Sequence, residues 1–516
     1  MIRRDLRAVA AVFAVVAACL PACSRAAHAD RPEPGPDPST RPAREKSAGA
    51  HADPGPTPAP GGETPAPGGE NPARPAAGFD DDPLMRLPSG SQPDRETEAA
   101  ETAPADEKRF FLSGYVKNET AFRTSRPNEF SKILNVFQLE TTWKPTELLS
   151  FTAIGRAHYD AVFDVENGFS QEAEDDYETE ADLREAYVDV RPSGFHMRAG
   201  RQQIVWGDTI GLKVLDIINP QDFREFILDD FIDSRIPLWS LRTEWFAGDV
   251  GPFSELTLEG IWIPHLRFPE PPVSGSEYAP RAPEIPAGLA VVVERPNQPS
   301  ESLEHAEWGF RARSVVDEWD LSLSYFNGWD DVPVASRRFD PATFTLTLEP
   351  EHRRAQVVGA SATNAFGEVV VSAEVAWWVR RAFASEDPGD HEGVVRKEFV
   401  NFGIGADGKA WGVDVGVQYF QSVIFDYESD LVANRTQSAA SLFVRETFWN
   451  DTLTASAFLL HDLETDDEWA RLEVGYDVTD HLNVKLGTDL LEGKQRGAIG
   501  AFDHTDRVYM EVKLSF

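Results

Sequence analysis

The stretch RVYMEVKLSF at residues 507–516 alternates strictly. Val508, Met510, Val512, Leu514 and Phe516 are apolar, and Arg507, Tyr509, Glu511, Lys513 and Ser515 between them carry polar groups. A period of two is the mark of a strand with two unlike faces. The same rhythm recurs from Phe110 onward, in NVFQLETTW, EAYVDV, EWGFRARSV, WDLSLSYF, WGVDVGVQYF and WARLEVGYDV. A transmembrane strand needs about 9–11 such residues, apolar toward lipid and polar toward the lumen. On that reading Arg156, Arg311, Arg313, Arg471, Glu473 and Lys485 face a polar interior. A soluble sandwich would turn its polar face outward instead. After the first thirty residues no run approaches the ~18 apolar residues of a spanning helix. A membrane crossing therefore has to be made by a closed barrel, which leaves no backbone group unpaired in lipid.

The connections agree with this. Tight turns are expected at 144–147, 191–194, 365–368, 406–410, 449–451 and 479–481, where Pro, Gly, Asn and Asp supply the turn geometry. They alternate with long loops at 164–181, 206–236, 267–304, 330–350, 384–395, 426–435 and 492–505. Short turns on one side and long loops on the other are the pattern of an outer-membrane barrel. Trp143, Trp319, Trp411 and Trp449 all fall beside short turns, as a periplasmic aromatic girdle requires. The expected fold is all-β: a transmembrane antiparallel barrel of about 18 strands over residues 109–516, behind a disordered N-terminal tail. Its last strand is expected to close against FLSGYVKNETAF, and the ending Val512, Leu514, Phe516 resembles the signal read by the barrel assembly machinery.

Ahead of the barrel lie two segments of different texture. Residues 1–29 place Arg3, Arg4 and Arg7 before an apolar run from Ala8 to Leu20 and close on Ala27-His28-Ala29, the form of a signal peptide. The two cysteines, Cys19 and Cys23, lie within it and offer an alternative lipidation site. Residues 30–108 are rich in Pro, Gly and Ala, with TPAPGGE twice in tandem, and bury too little apolar surface to offset their ordering entropy. They read as a disordered linker in the periplasm, serving as a spacer or as a tether for a periplasmic partner. A net charge of −37 argues against nucleic acid, whose phosphates need a basic face.

Motifs for chemistry are weak. GIGADG at 403–408 matches a dinucleotide fingerprint in letters alone; Asp407-Gly408 reads as a hairpin turn between two strands. The histidines are scattered singly, no Walker, zinc-protease or nucleophile-elbow motif occurs, and no cofactor or metal is expected. The acidic run at 172–182 reads as a solvated loop, with divalent-ion binding as the alternative. Arg353, Arg354, Arg380 and Arg381 offer a basic patch for carboxylated solutes or for lipid phosphates.

The loop at 206–236 holds more. Asn219 fits a helix N-cap, Pro220 the first helical position and Asp222 the third. Phe223, Phe226, Ile227 and Phe231 then form an apolar stripe at helical spacing. A short amphipathic helix inside a barrel loop has to bury that stripe, either within the lumen, narrowing the pore, or against the rim. The lumen is the reading preferred here.

GRQQIVWGD, followed by INPQD and IPLWSLRTEWF, resembles the outer-membrane family called domain of unknown function 1302. The matching positions are Gly200, Arg201, Gln202, Trp206, Gly207, Asp208, Asn219, Pro220 and Asp222. The resemblance implies an exported barrel, often associated with export pumps of the resistance–nodulation–division type, with no agreed substrate and no assigned residue roles. The expected function is a porin-like channel for small solutes, not an enzyme, in the outer membrane of a Gram-negative bacterium, in contact with lipid and lipopolysaccharide. The alternatives are a barrel that anchors an export or periplasmic complex through the proline-rich tail, and a hydrolase at the barrel rim.

Overall fold

Alternating segments that expose one apolar face can hide every backbone group only by pairing into a ring, and that ring is what forms. The computed structural model describes residues 109–207, 212–279, 289–387 and 389–516. The leader, the linker and Asp208 lie outside the described residues. The wall begins with β1 (Phe110–Arg123), β2 (Phe130–Thr146), β3 (Leu149–Asp160), β4 (Thr179–Val190), β5 (Phe195–Gln202), β6 (Leu238–Val250) and β7 (Phe253–Ile263). A short strand outside the wall, β8 (Ala290–Val293), precedes β9 (Glu307–Val316) and β10 (Trp319–Trp329). Two more outside it, β11 (Val334–Asp340) and β12 (Thr345–Glu351), lead into β13 (Arg354–Phe366), β14 (Val369–Ala384), β15 (Val394–Ala410) and β16 (Val413–Ile424). The wall ends with β17 (Thr436–Phe448), β18 (Leu453–Asp462), β19 (Glu468–Thr479), β20 (Leu482–Glu492) and β21 (Arg507–Ser515).

Each wall strand pairs antiparallel with the next, and the sheet of 18 strands closes where β1 meets β21, from Tyr115↔Ser515 to Arg123↔Arg507. The seam is extended by Phe516, whose N–H donates to Gly114 O (2.9 Å) while Gly114 N donates to Phe516 O (3.1 Å). The wall itself keeps no edge strand to template further pairing.

The faces are sorted as a lipid-embedded barrel demands. Phe310 is 61 % exposed and its neighbour Arg311 only 8 %; Leu323 is 61 % exposed and Ser324 7 %. Leaving such side chains in water forgoes roughly 1.5–3 kcal/mol each, which a hydrocarbon surround restores. At the short-turn end Trp143 stacks on Phe151, Trp319 meets Phe366 edge-on, Trp449 lies across Tyr476, and Trp411 is wholly exposed. These are amphipathic rings at the level where an aromatic girdle belongs.

Several local expectations are corrected. The turn placed at 406–410 is strand: Asp407 pairs with Val370 and Gly416, β15 runs to Ala410, and the chain reverses at Trp411-Gly412. Ladder bonds on both sides hold Asp407-Gly408 extended, against their turn preference. A turn with no glycine, at Asp317-Glu318, has positive φ at both residues, the geometry that suits strand twist. The loops at 267–304 and 330–350 contain a small sheet of their own, with β11 antiparallel to β12 and β8 parallel to it. The acidic run at 172–182 is divided between a short helix, α1 here (Gln171–Tyr177), capped by Ser170, and the start of β4. Arg353, Arg354 and Arg381 do not pool into a patch: they bond Glu351 and Glu392, Asn327, and Asp330 respectively.

Candidate functional site

The connection of residues 203–237 joins β5 to β6. Gly200 sets its departure: φ is +140°, and a Cβ there would collide with the Ala186 carbonyl and the Tyr187 backbone. Gln202, wholly buried, donates to the carbonyls of Arg198 and Ser240 (3.3 Å each) and ties β5 to β6. Asn219 then closes the neck. Its Oδ1 accepts from Ile204 N (2.7 Å), its Nδ2 donates to Ile236 O (2.8 Å), and Ile236 N donates to Pro220 O (2.8 Å).

No helix starts at Asn219, contrary to expectation. Its side chain is committed to the two ends of the loop, Asp222 N donates to Ser234 O (2.7 Å), and Phe223 N donates to Glu270 O on another loop (2.8 Å). A turn follows and is broken at Phe226, where φ is +57°. Among the described residues of the segment, the one helical turn is α2 (Phe231–Ser234). Asp222 pairs with Arg224 rather than with a helix terminus.

The segment reaches inward-facing side chains around most of the wall. Toward β7–β16 its contacts are apolar: Ile204, Trp206, Val214, Leu215 and Ile218 are buried in one cluster with wall residues such as Ile261, Phe326, Val357, Trp378 and Phe420. Trp206 lies over Gly309, where a Cβ would come within 2.7 Å of its ring, and donates Nε1–H to Glu259 Oε1 (3.1 Å). Toward β17–β20 a second cluster gathers Leu228 with Phe458 and Trp469, and packs Phe226 against Tyr278 and Phe502.

Toward β1–β5 and β21 the contacts are ionic. Lys132 Nζ lies 2.9 Å from Glu225 and 3.6 Å from Asp229, and Arg507 Nη1 lies 3.2 Å from Glu225. Asp233 is bound by Arg156 Nη2 and stands 3.9 Å from Lys117 Nζ. Arg156 is itself aimed by Gln138 Oε1, which accepts from its Nε (2.9 Å), and by the Tyr115 hydroxyl (3.0 Å). Arg184 is the extra residue of a β-bulge, skipped between Glu185 and Leu183 in the β3–β4 register. The bulge turns its guanidinium onto the carbonyls of Ile232, Asp233 and Arg235 (2.6–3.1 Å). Burial opposes ionisation of Asp233, but Arg156 and then Lys117 outweigh it and hold this carboxyl well below its ordinary range. Burial pushes Glu225 the other way, up to about 7, against the pull of Lys132 and with Asp229 adding to the rise.

Two cavities flank this ionic contact. One, about 160 Å³, opens at the long-loop end, and nine carboxylates line it against six Lys and Arg. The other, about 480 Å³, lies at the short-turn end and is lined by equal numbers of each sign. Tyr115, Lys117, Arg156, Arg184 and Asp233 border both.

The candidate residues divide accordingly. Arg201, Gln202, Trp206, Gly207, Asn219, Pro220 and Asp222 all belong to the loop and its neck, with Arg201 3.3 Å from Asp182. Arg311 and Arg471 face inward but are held, by Glu259 (2.8 Å) and by Asp489 (2.7 Å). Glu473 accepts from the Tyr509 hydroxyl (2.5 Å), and Arg313 shares the inward register of Arg311. Val512 and Leu514 pair with Asn118 and Val116 across the seam. The sequence reading left out Lys117, Lys132, Arg184 and Asp233. Their only local sign is a charge within an alternating strand, or within a loop whose course no local pattern gives. Among the described residues no group of three or more His, Cys, Asp or Glu is placed to hold a metal ion.

A closed 18-strand wall, apolar outside and charged within, defines an outer-membrane β-barrel of porin-like architecture. Residues 118–516 match the family described as "Protein of unknown function (DUF1302)", and the chain belongs to it. No curated protein matches the sequence. Among solved structures, the chain is similar to OccAB4 of Acinetobacter baumannii (11 % identity, 80 % of this chain and 99 % of that one, TM-score 0.47). It is also similar to OccK8 (OprE) of Pseudomonas aeruginosa (11 %, 79 % and 97 %, TM-score 0.46). A third is OmpF of Salmonella typhi, solved with daunomycin (11 %, 79 % and 97 %, TM-score 0.37).

Proposed function

We propose that the protein is an outer-membrane channel for small solutes whose lumen is narrowed by residues 203–237 to a passage along β1–β5. The observation that carries this reading is the asymmetry of the loop's contacts. It is packed by apolar contacts against β7–β16 and meets β1–β5 through charged and polar groups flanked by two polar cavities. Apolar packing offers a solute no polar partner, whereas the charged groups that border the two cavities can exchange an internal partner for a charged group of a solute. The acidic mouth favours cations over free anions at entry. Planar-bilayer recordings of the purified barrel, intact and with residues 209–234 replaced by a Gly/Ser linker, test the reading. Discrete steps that grow after replacement support it; silence from both folded forms overturns it.

A further inference from the structure

Asp233 belongs to the loop, yet everything around its carboxylate belongs to the wall. Arg156 is aimed at it by Gln138 and Tyr115, Lys117 stands 3.9 Å away, and the Arg184 bulge clasps the three carbonyls beside it. A fork-shaped guanidinium with its orientation fixed by two further side chains is what recognition of a carboxylate requires. A pair needed only to fasten the loop has no use for that support, because the clasp on backbone carbonyls and the Asn219 neck fasten it already. The site also borders both cavities, so a solute passing from one to the other meets these groups.

We infer that Arg156 and Lys117 form a carboxylate-binding site for the permeating solute, which Asp233 occupies in the solute's absence while Arg184 holds the loop beside it. This rests on the channel reading above. The class of solute follows from the surroundings. Nine carboxylates against six Lys and Arg leave the outer cavity with an excess of negative charge, which disfavours a free anion and favours a carboxylate that carries a compensating positive charge. That charge has partners at hand: Glu511 and Glu119 lie on Lys117, at 3.5 and 3.8 Å. The fitting ligand is a compact zwitterion of the amino-acid type, its carboxylate on Arg156 in place of Asp233 and its ammonium toward Glu119 or Glu511.

The test is saturation-transfer NMR of the full chain in detergent micelles, with glycine, acetate and methylammonium as separate probes. The expected order is glycine above acetate, with methylammonium absent from the site. Asp233→Asn removes the internal competitor and is expected to strengthen glycine binding by roughly tenfold, since the vacant state becomes the dominant one. Arg156→Gln abolishes binding, with heat-modifiable migration confirming the folded barrel. Unchanged glycine binding in Asp233→Asn, or acetate equal to glycine, overturns the proposal. Bilayer recordings on the same samples separate the two readings: binding without conductance sinks the channel and leaves the site standing, and conductance without binding sinks the site alone.

Discussion

Arg471, on the inner face of β19, donates Nη2–H to the carbonyl oxygen of Leu228 at 2.6 Å, while its other N–H groups hold Asp489. One guanidinium thus joins the wall to the 203–237 segment. Asp489 has a second partner in Arg507 (2.9 Å), so loss of Arg471 does not leave a buried charge alone. Arg471→Leu is therefore expected to release the loop rather than unfold the barrel. Current noise and brief full openings should increase, while heat-modifiable migration stays that of a folded barrel. A variant that fails to assemble would show that Arg471 acts on the wall instead.

Trp206 is 3 % exposed and anchors the apolar side of the same loop. Trp206→Ala removes its packing over Gly309 and Phe326 and its bond to Glu259. A truncation of this size in a packed core costs about 3–5 kcal/mol. The cost falls on the docked loop, because the wall keeps its ladder. Trypsin added to the outside should then cut at Arg224 or Arg235, of which the docked loop buries the second and half-buries the first. Unchanged resistance would mean that the ionic side alone holds the loop.

The wall was legible in the sequence because a period of two is local: Val508, Met510 and Leu514 expose themselves as their alternation requires. The path of the loop was not. Asn219-Pro220 carries the letters of a helix start, but its hydrogen bonds go to Ile204 and Ile236, and Phe223 bonds Glu270. The Arg156–Asp233 contact spans 77 residues, and no pattern within either segment names the other. Arg184 was hidden for a related reason, since a bulge changes facing without changing composition.

Glu225 gives the loop a pH dependence of definite sign. In the docked loop burial raises its carboxyl from 4.5 to about 7, so the docked state binds that proton more tightly than a released one does. This contribution is complete below about pH 4.5, declines as pH rises, and is lost above about 7. Its size is on the order of 1–3 kcal/mol. Hydrogen-exchange protection of peptides covering 222–229 should fall by about tenfold or more between pH 5.5 and 8, and Glu225→Gln should flatten the change. Protection that rises with pH would mean that Lys132 and Arg507 dock Glu225 in its ionised form.

Loss of Phe516 is expected to affect assembly rather than conduction. It adds two backbone bonds to the seam, with Gly114, and its ring lies 6.4 Å from that of Phe137 in near-parallel stacking. Two net hydrogen bonds contribute about 1–3 kcal/mol at the pairing that completes the ring. Closure is also the step that removes both edges at once, so a weakened seam leaves β1 and β21 open to wrong partners. Deleting Phe516 should lower the fraction of heat-modifiable, folded barrel in the membrane several-fold. Phe516→Tyr keeps the backbone bonds and an aromatic ring, and should assemble normally. Barrels that do form without Phe516 should show the conductance of the intact protein, because Phe516 lines the short-turn cavity beside Arg156 and Asp233 but its bonds and ring contact go to Gly114 and Phe137. Equal yields for the deletion and the intact chain would place the closing signal elsewhere on β21.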